Sequence, residues 1–432
     1  MSAALPPLKV AVAGLGTVGG GVVRLLLEQA ALLAQRCGRP IELVAVSALE
    51  RSRAAELGAG SARWFDDAAV MAAAPDIDVV VELIGGAEGI ARKVVETALA
   101  HGRHVVTANK AMLAYHGAAL ARQAEERNLA LAYEAAVAGG IPVIKGIREG
   151  LAGNQIGEIH GILNGTCNYI LTEMRLTGRD FADVLKEAQA KGYAEADPSF
   201  DVDGIDTAHK VAVLASVAFG TEVNFKGVFV EGIRQVSALD IQYADELGYR
   251  IKLLGIARRQ ADSLEQRVHP CMVPQTAALA AVDGVFNAVV ASGDFVDKVV
   301  LIGRGAGERP TASAVVADII DIARGRTTPT FGIPAQSLAN LPATPIATRR
   351  GAYYLRLMVL DQVGVLAEVA QALSAQGVSI VTFVQRGRDP GGLVPVVLTT
   401  HETDEASMER GLAVIDALSA VKERCLIRIE QF

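Results

Sequence analysis

The apolar run Lys9 to Ala13, KVAVA, is followed at once by Gly14-Leu15-Gly16-Thr17-Val18-Gly19 and then by an amphipathic stretch. A strand that must turn into a helix across three spaced glycines leaves few folds open. Gly14 permits the tight turn, Gly16 lets the backbone approach a pyrophosphate, and Gly19 lets helix and strand pack closely, while Thr17 and Val18 open the helix whose N–H groups and macrodipole hold the anion. A plain glycine turn would need no ligand, but the flanking strand and helix patterns meet the context test for a dinucleotide fingerprint. Gly20 and Gly21 lengthen the flexible stretch and leave the helix start open by a few residues.

The pattern continues through the first third as short apolar runs alternating with amphipathic segments. Strands are expected at Lys9 to Ala13, Ile41 to Ser47, Asp78 to Leu83, His104 to Thr107 and Leu129 to Tyr133, with helices such as Val18 to Glu28 and Ile90 to Ala100 between them. That is the rhythm of a Rossmann-like, doubly wound parallel sheet. From about residue 155 it changes to a strand, IGEIHGILN, two helices, a third helix near Gly204 to Phe219, and four more strands, an α+β order. The segment TASAVVADIIDIARG reads as a helix that can return to the first layer, and residues 331–350, with Pro334, Pro342 and Pro345, read as a linker. The remainder orders as βαββαβ, a ferredoxin-like unit. The expected division is 1–140 with about 306–330 for the dinucleotide, 141–305 for substrate and dimerisation, and 351–432 for a module that could be removed without losing the chemistry.

A chain of 432 residues, 51% hydrophobic and 21% charged, is long enough for several cores. A net charge of -7 without a basic block speaks against nucleic acid. Cys37, Cys167, Cys271 and Cys425 lie far apart with no CxxC pair, which suggests neither a disulfide framework nor a zinc cage. No run of about 18 apolar residues and no export signal occurs, so a cytoplasmic protein without a membrane partner is expected.

Chemistry concentrates at three further places. The second strand ends in Ser47, where an NAD site usually has an acid, and Arg51 and Arg53 follow, suited to a ribose 2′-phosphate; NADP is therefore favoured over NAD, although exposed loop arginines are also common. Thr107-Ala108-Asn109-Lys110 lies at the carboxyl end of a strand, the ligand edge of such sheets. Residues 188–210, AQAKGYAEADPSFDVDGIDTAHK, place an Asp-Pro turn before a helix on which Asp206 and Lys210 share one face. Read without family knowledge, Glu195, Asp201, Asp203 and Asp206 are either an ammonium-binding neighbourhood or a capped, solvated loop.

That stretch resembles the homoserine dehydrogenase signature: Ala188, Gly192, Asp197-Pro198, Asp201, Gly204, Asp206 and Lys210 stand at the family spacings. GLGTVG, TANK, YEAAVAGGIP and NGTCNYI follow the family order, and the last 80 residues resemble an ACT domain. The resemblance implies an NAD(P)-dependent oxidoreductase interconverting L-aspartate 4-semialdehyde and L-homoserine. By motif, Lys210 would give and take the proton, Lys110 would orient substrate and cofactor, and Asp206 and Glu195 would bind homoserine. Tyr193 and Asp201 would line the pocket, Asn164, Gly165 and Thr166 would close it, and Gly192 would face the cofactor. A monovalent cation, commonly sodium, would sit on backbone oxygens of Glu134, Val137, Gly139 and Ile141. The ACT resemblance implies an amino-acid effector such as threonine near Asp361 to Leu366, in a homodimer or homotetramer. Two rivals are a phosphorylating semialdehyde dehydrogenase, for which Cys167 is the candidate nucleophile, and a non-catalytic amino-acid sensor.

Overall fold

A computed structural model describes residues 5–387 and 389–432. Its first sheet is six-stranded and wholly parallel, ordered Arg63–Trp64, Ile41–Ser47, Leu8–Ala13, Val79–Glu82, His104–Thr107, Leu131–Ala132. Both faces are covered by helices, which is why these strands are almost continuously apolar and why Val10, Val12, Val79 and Val81 have no exposed surface. The last strand is shorter than the Leu129 to Tyr133 pattern, because the chain turns into a 3₁₀ segment, Glu134–Ala136, immediately after Tyr133.

The fingerprint helix, Thr17–Glu28, starts without delay and runs through the extra glycines. Gly21 has a packing reason: a Cβ there would lie 2.7 Å from Cγ of Glu308 and 3.1 Å from Cβ of Ala312. Its absence lets the fingerprint helix press against the late helix Glu308–Ala323, whose Ala312, Val315 and Ile319 share a core with Val22, Val23 and Leu26.

The second sheet runs Asp297–Arg304, Phe286–Gly293, Ile156–Ile162, Tyr249–Arg259, Leu264–Pro274, then Val421–Ile429, Arg350–Leu360, Leu393–Thr400, Ile380–Gln385. The last four strands have the ferredoxin-like order of an ACT module. They join the preceding five through a short parallel pairing, Cys271 with Arg428 and Met272 with Ile429. The expectation of a module held off by a linker therefore fails in that form. Tyr354, Val397, Cys425 and Ile427 of the module belong to the same core as Ile170, Val213 and Leu214. The proline-bearing stretch is itself docked: Phe331 is buried against Tyr133, and the carboxylate of Glu125 accepts the N–H groups of Thr330 and Ala335.

A helix absent from the sequence reading, Ala238–Glu246, completes this junction. The signal was there as Ser237-Ala-Leu-Asp240, a capping box just before an amphipathic stretch. Asp240 is fully buried and receives both Nε and Nη2 of Arg356 as well as the Tyr354 hydroxyl. Among the described residues, no single helix is long and apolar enough to cross a membrane.

Candidate active site

The loop between Ala13 and the fingerprint helix has the backbone a dinucleotide needs. Gly14 adopts φ +96°, and a Cβ on it would stand 2.6 Å from the Leu83 carbonyl oxygen. A Cβ on Gly19 would fall 1.9 Å from the Gly14 carbonyl oxygen, so only glycine allows helix and strand this close. Gly16, by contrast, faces open space and caps the helix with no side-chain hydrogen bond, and the first turn carries no acid. Uncapped N–H groups at the positive end of a helix, open on the side of Gly16, suit a pyrophosphate.

Lys110 begins the helix Lys110–Glu125, and its approach is rigid. Asn109 caps that helix through Oδ1 and donates from Nδ2 to Gly86 O at 2.7 Å, while the Thr107 hydroxyl donates to buried Glu82 at 2.6 Å. Glu82 also accepts the N–H groups of Ile84 and Gly85, an anchoring role that spacing did not reveal.

The lysine helix, Ile205–Phe219, is entered through Gly204 at φ +86°, where Val230 and Val268 would stand 3.1 Å from a Cβ. Asp206 lies in its first turn, where a carboxylate complements the helix dipole. Lys210 Nζ donates to Asp206 Oδ2 at 2.7 Å and to the Leu163 carbonyl at 2.7 Å. Lys110 Nζ sits 3.0 Å from Asp206 Oδ1. Asn164 completes the cluster, its Nδ2 donating to Asp201 Oδ1 and Asp206 Oδ2, both at 2.8 Å. Thr166 donates to the Tyr193 carbonyl at 2.7 Å and approaches Asp201 Oδ2 at 3.2 Å.

Charge follows from this packing. Burial lowers the Lys210 pKa, Asp206 opposes the shift, and Lys110 reinforces it, with a net fall below the ordinary 10.5. Burial pushes Asp206 up, but Lys210 and Lys110 together hold it below the usual carboxylate range. Asp201 moves the other way, raised by burial and by the charge on Asp206. Burial also lifts the Cys167 thiol well above its ordinary value, and its Sγ contacts the Asp201 carbonyl at 3.2 Å, which disfavours a thiolate nucleophile.

These groups meet in a cleft of about 520 Å³ lined by Val18, Lys110, Asn164, Gly165, Thr166, Gly192, Tyr193, Asp201, Asp206 and Lys210. A larger groove of about 880 Å³ contains none of them. Glu195 is not brought in: it is exposed in the loop beyond Gly192, its backbone carbonyl held by the Gln189 amide. Arg51 is exposed at the start of the short helix Ser52–Glu56, and Arg53 is paired with Glu56 at 2.8 Å. Asn287, Arg304 and Thr311 line the cleft without having been anticipated, since nothing in their local spacing marks them.

The backbone of the expected cation loop is buried at Glu134, Val137 and Ile141, and it carries two successive positive φ angles, 55° at Ala138 and 48° at Gly139. The Ile141 carbonyl already accepts the Val143 N–H at 2.7 Å. Burial, then Asp318, lifts the Glu134 carboxyl to about 7, against two backbone N–H donors from Ile144 and Lys145.

Comparison with known proteins agrees with this geometry. Residues 14–134 match the family model "Homoserine dehydrogenase, NAD binding domain", 142–320 match "Homoserine dehydrogenase", and 353–420 match "ACT domain". A homoserine dehydrogenase of Pseudomonas aeruginosa is 47% identical over 437 residues, covering 99% of this chain and 100% of the relative. The crystal structure of a homoserine dehydrogenase from Thiobacillus denitrificans superposes with a TM-score of 0.92 at 44% identity, covering 98% of each chain. A hyperthermophilic archaeal homoserine dehydrogenase in complex with NADPH matches at 26% identity and a TM-score of 0.64, covering 75% of this chain and 99% of that one. A fingerprint loop, a lysine–aspartate cleft and full-length relatives thus converge: the chain belongs to the homoserine dehydrogenase family, oxidoreductases that act on a CH–OH group with a nicotinamide cofactor.

Proposed function

We propose that the chain interconverts L-aspartate 4-semialdehyde and L-homoserine, serving the synthesis of threonine, methionine and isoleucine, with Lys210 as the proton donor and acceptor. The observation that carries this reading is the hydrogen bonding of Lys210: an ammonium has three donors, and Asp206 and the Leu163 carbonyl take two of them. The third is left for the cleft. Gly14, Gly16, Thr17, Val18 and Gly19 would hold the dinucleotide by its pyrophosphate, with Gly192 nearby, and the reduced nicotinamide would supply the hydride. Negative charge that develops on the aldehyde oxygen meets Lys210, whose lowered pKa brings proton release closer to neutral pH. Asp206 keeps Lys210 and Lys110 in place from opposite oxygens, and Lys110 adds positive charge, a kind of fixed electrostatic support that is worth about 3 kcal/mol per donor in a dry site. Asp201 and Glu195 offer carboxylates to the substrate ammonium. For Glu195 this requires the loop beyond Gly192 to close over the bound substrate.

The cofactor is assigned as NADP. The archaeal relative binds NADPH, and Arg51 stands exposed just beyond the second strand. Substituting Arg51 and Arg53 together with Ala should weaken NADP about tenfold or more while sparing NAD, the loss expected for charged hydrogen bonds to the 2′-phosphate. Equal losses for both cofactors count against it. A monovalent cation, sodium, is assigned to the backbone oxygens of Glu134, Val137, Gly139 and Ile141. The ACT module is assigned an amino-acid effector, threonine, at the turn Asp361 to Leu366, in a homodimer or homotetramer. Reduced-cofactor absorbance followed with homoserine and either NAD or NADP tests reaction and cofactor together; no turnover with either would overturn the assignment.

A further inference from the structure

We propose that Asn287 determines specificity by receiving the α-carboxylate of the amino-acid substrate, together with the N–H groups of Gly165 and Thr166; this rests on the activity proposed above. Asn287 is the second residue of the strand Phe286–Gly293, is only 1% exposed, and lines the cleft that holds Lys210. Among the described residues its Oδ1 has no hydrogen-bond partner. A buried amide is ordinarily satisfied, and this one can turn either its oxygen or its NH₂ toward a ligand.

The amide is held in place from two sides. A Cβ on Gly305 would fall 2.0 Å from Nδ2, 2.1 Å from Cγ and 2.5 Å from Oδ1 of Asn287, so the amide lies flat against a residue that must be glycine. Asn168 donates from Nδ2 to the carbonyls of Val282 and Phe286 at 3.0 and 3.1 Å, tying the start of the strand to the helix Gly165–Thr177. A Cβ on Gly165 would stand 3.7 Å from Asn287 Oδ1, which puts the amide beside that helix's first residues. The Asn164 cap takes the Cys167 N–H and its carbonyl takes the Asn168 N–H. The N–H groups of Gly165 and Thr166 are left, as first-turn N–H groups of a helix are.

With the amide turned so that Nδ2 stands where Oδ1 faces Gly165, Asn287 and the two N–H groups make three donors at the positive end of a 13-residue helix, a set that selects an anion. An amino-acid substrate brings one anionic group, its α-carboxylate; Lys210 keeps its remaining donor for the reacting oxygen, and Lys110 is paired with Asp206. With Lys210 on the reacting oxygen and Asp201 for the ammonium, Asn287 supplies the third point of attachment that separates an amino acid from a plain amino alcohol.

The test uses the intact enzyme with homoserine as substrate and 3-aminopropan-1-ol, which lacks the carboxylate, as competitive inhibitor. Asn287→Ala should raise the homoserine KM about ten- to hundredfold, leave the cofactor KM within about twofold, and leave the 3-aminopropan-1-ol inhibition constant unchanged. Asn287→Asp, nearly isosteric but repelling a carboxylate, should lose at least as much, and it carries the test if the alanine variant does not fold. A homoserine KM within about twofold of the parent, or a loss confined to the cofactor KM, overturns the proposal. A parent enzyme that never oxidises homoserine instead overturns the activity itself.

Discussion

Two buried ion clusters in this chain look alike on paper and behave differently. In the cleft, Lys210, Lys110 and Asp206 meet with Asn164, and Lys210 keeps one donor uncommitted beside open volume. At the module junction, Arg356 grips Asp240 with two nitrogens, Tyr354 adds its hydroxyl, and Arg267, with no exposed surface, is bound by Glu265 and Glu430. These two separate groups at the junction use their donors to close the interface between the two halves of the second sheet. The difference teaches that burial of charge does not by itself mark a reactive site; a donor left over beside a cleft does.

The sharpest break in the comparison comes from removing one cation from each cluster. Lys210→Ala should lower turnover by about 100- to 10,000-fold, with cofactor affinity near normal, because Asp206 still has Lys110 and Asn164 to satisfy it. Activity within about threefold of the parent would end the role given to Lys210. Asp240→Ala should do the reverse: it leaves buried Arg356 with the largely exposed Glu423 in place of its buried partner, and loss of one partner from such a pair costs about 3–5 kcal/mol of stability. Thermal melting checks this, and a stability loss under about 1 kcal/mol would show the junction is not held as described.

A double replacement sharpens the point. Arg356→Met with Asp240→Leu removes both charges and fills their space with apolar side chains, so it should restore most of what Asp240→Ala loses, as apolar replacements of buried pairs commonly do. A double variant as unstable as the single one would mean that the capping box and the Tyr354 hydroxyl bond, not the ion pair, dominate the junction.

The smallest effect expected is on pH. Since the Lys210 pKa is depressed in the folded enzyme, homoserine oxidation, which needs the neutral amine, should rise with pH through a pKa below the ordinary 10.5. Semialdehyde reduction, which needs the ammonium, should fall over the same interval. Stopped-flow rates across that range check both, and profiles that move in the same direction would contradict a single shared proton.

What the sequence determined by itself is whatever is encoded over short spans. Gly14 and Gly19 announce a turn and a close approach because only glycine meets those local demands, and Asp206 and Lys210 share a face because four residues make about one helical turn. The long signature ending at Lys210 named the family for the same reason: its spacings are local. What only the tertiary structure decided are convergences of distant residues. Motifs put Lys110, Asn164, Asp201 and Asp206 in one site, but that Lys110 reaches Asp206 and that Asn164 bridges the two aspartates is decided by the fold, and Asn287 comes to rest beside Gly165 and Gly305 with no period or motif to signal it. The fusion of the module belongs here too. A proline-bearing stretch reads as a loose tether because sequence shows stiffness and not contacts, whereas the pairing of Met272 with Ile429 and the burial of Asp240 against Arg356 depend on surfaces that exist only once both halves have folded.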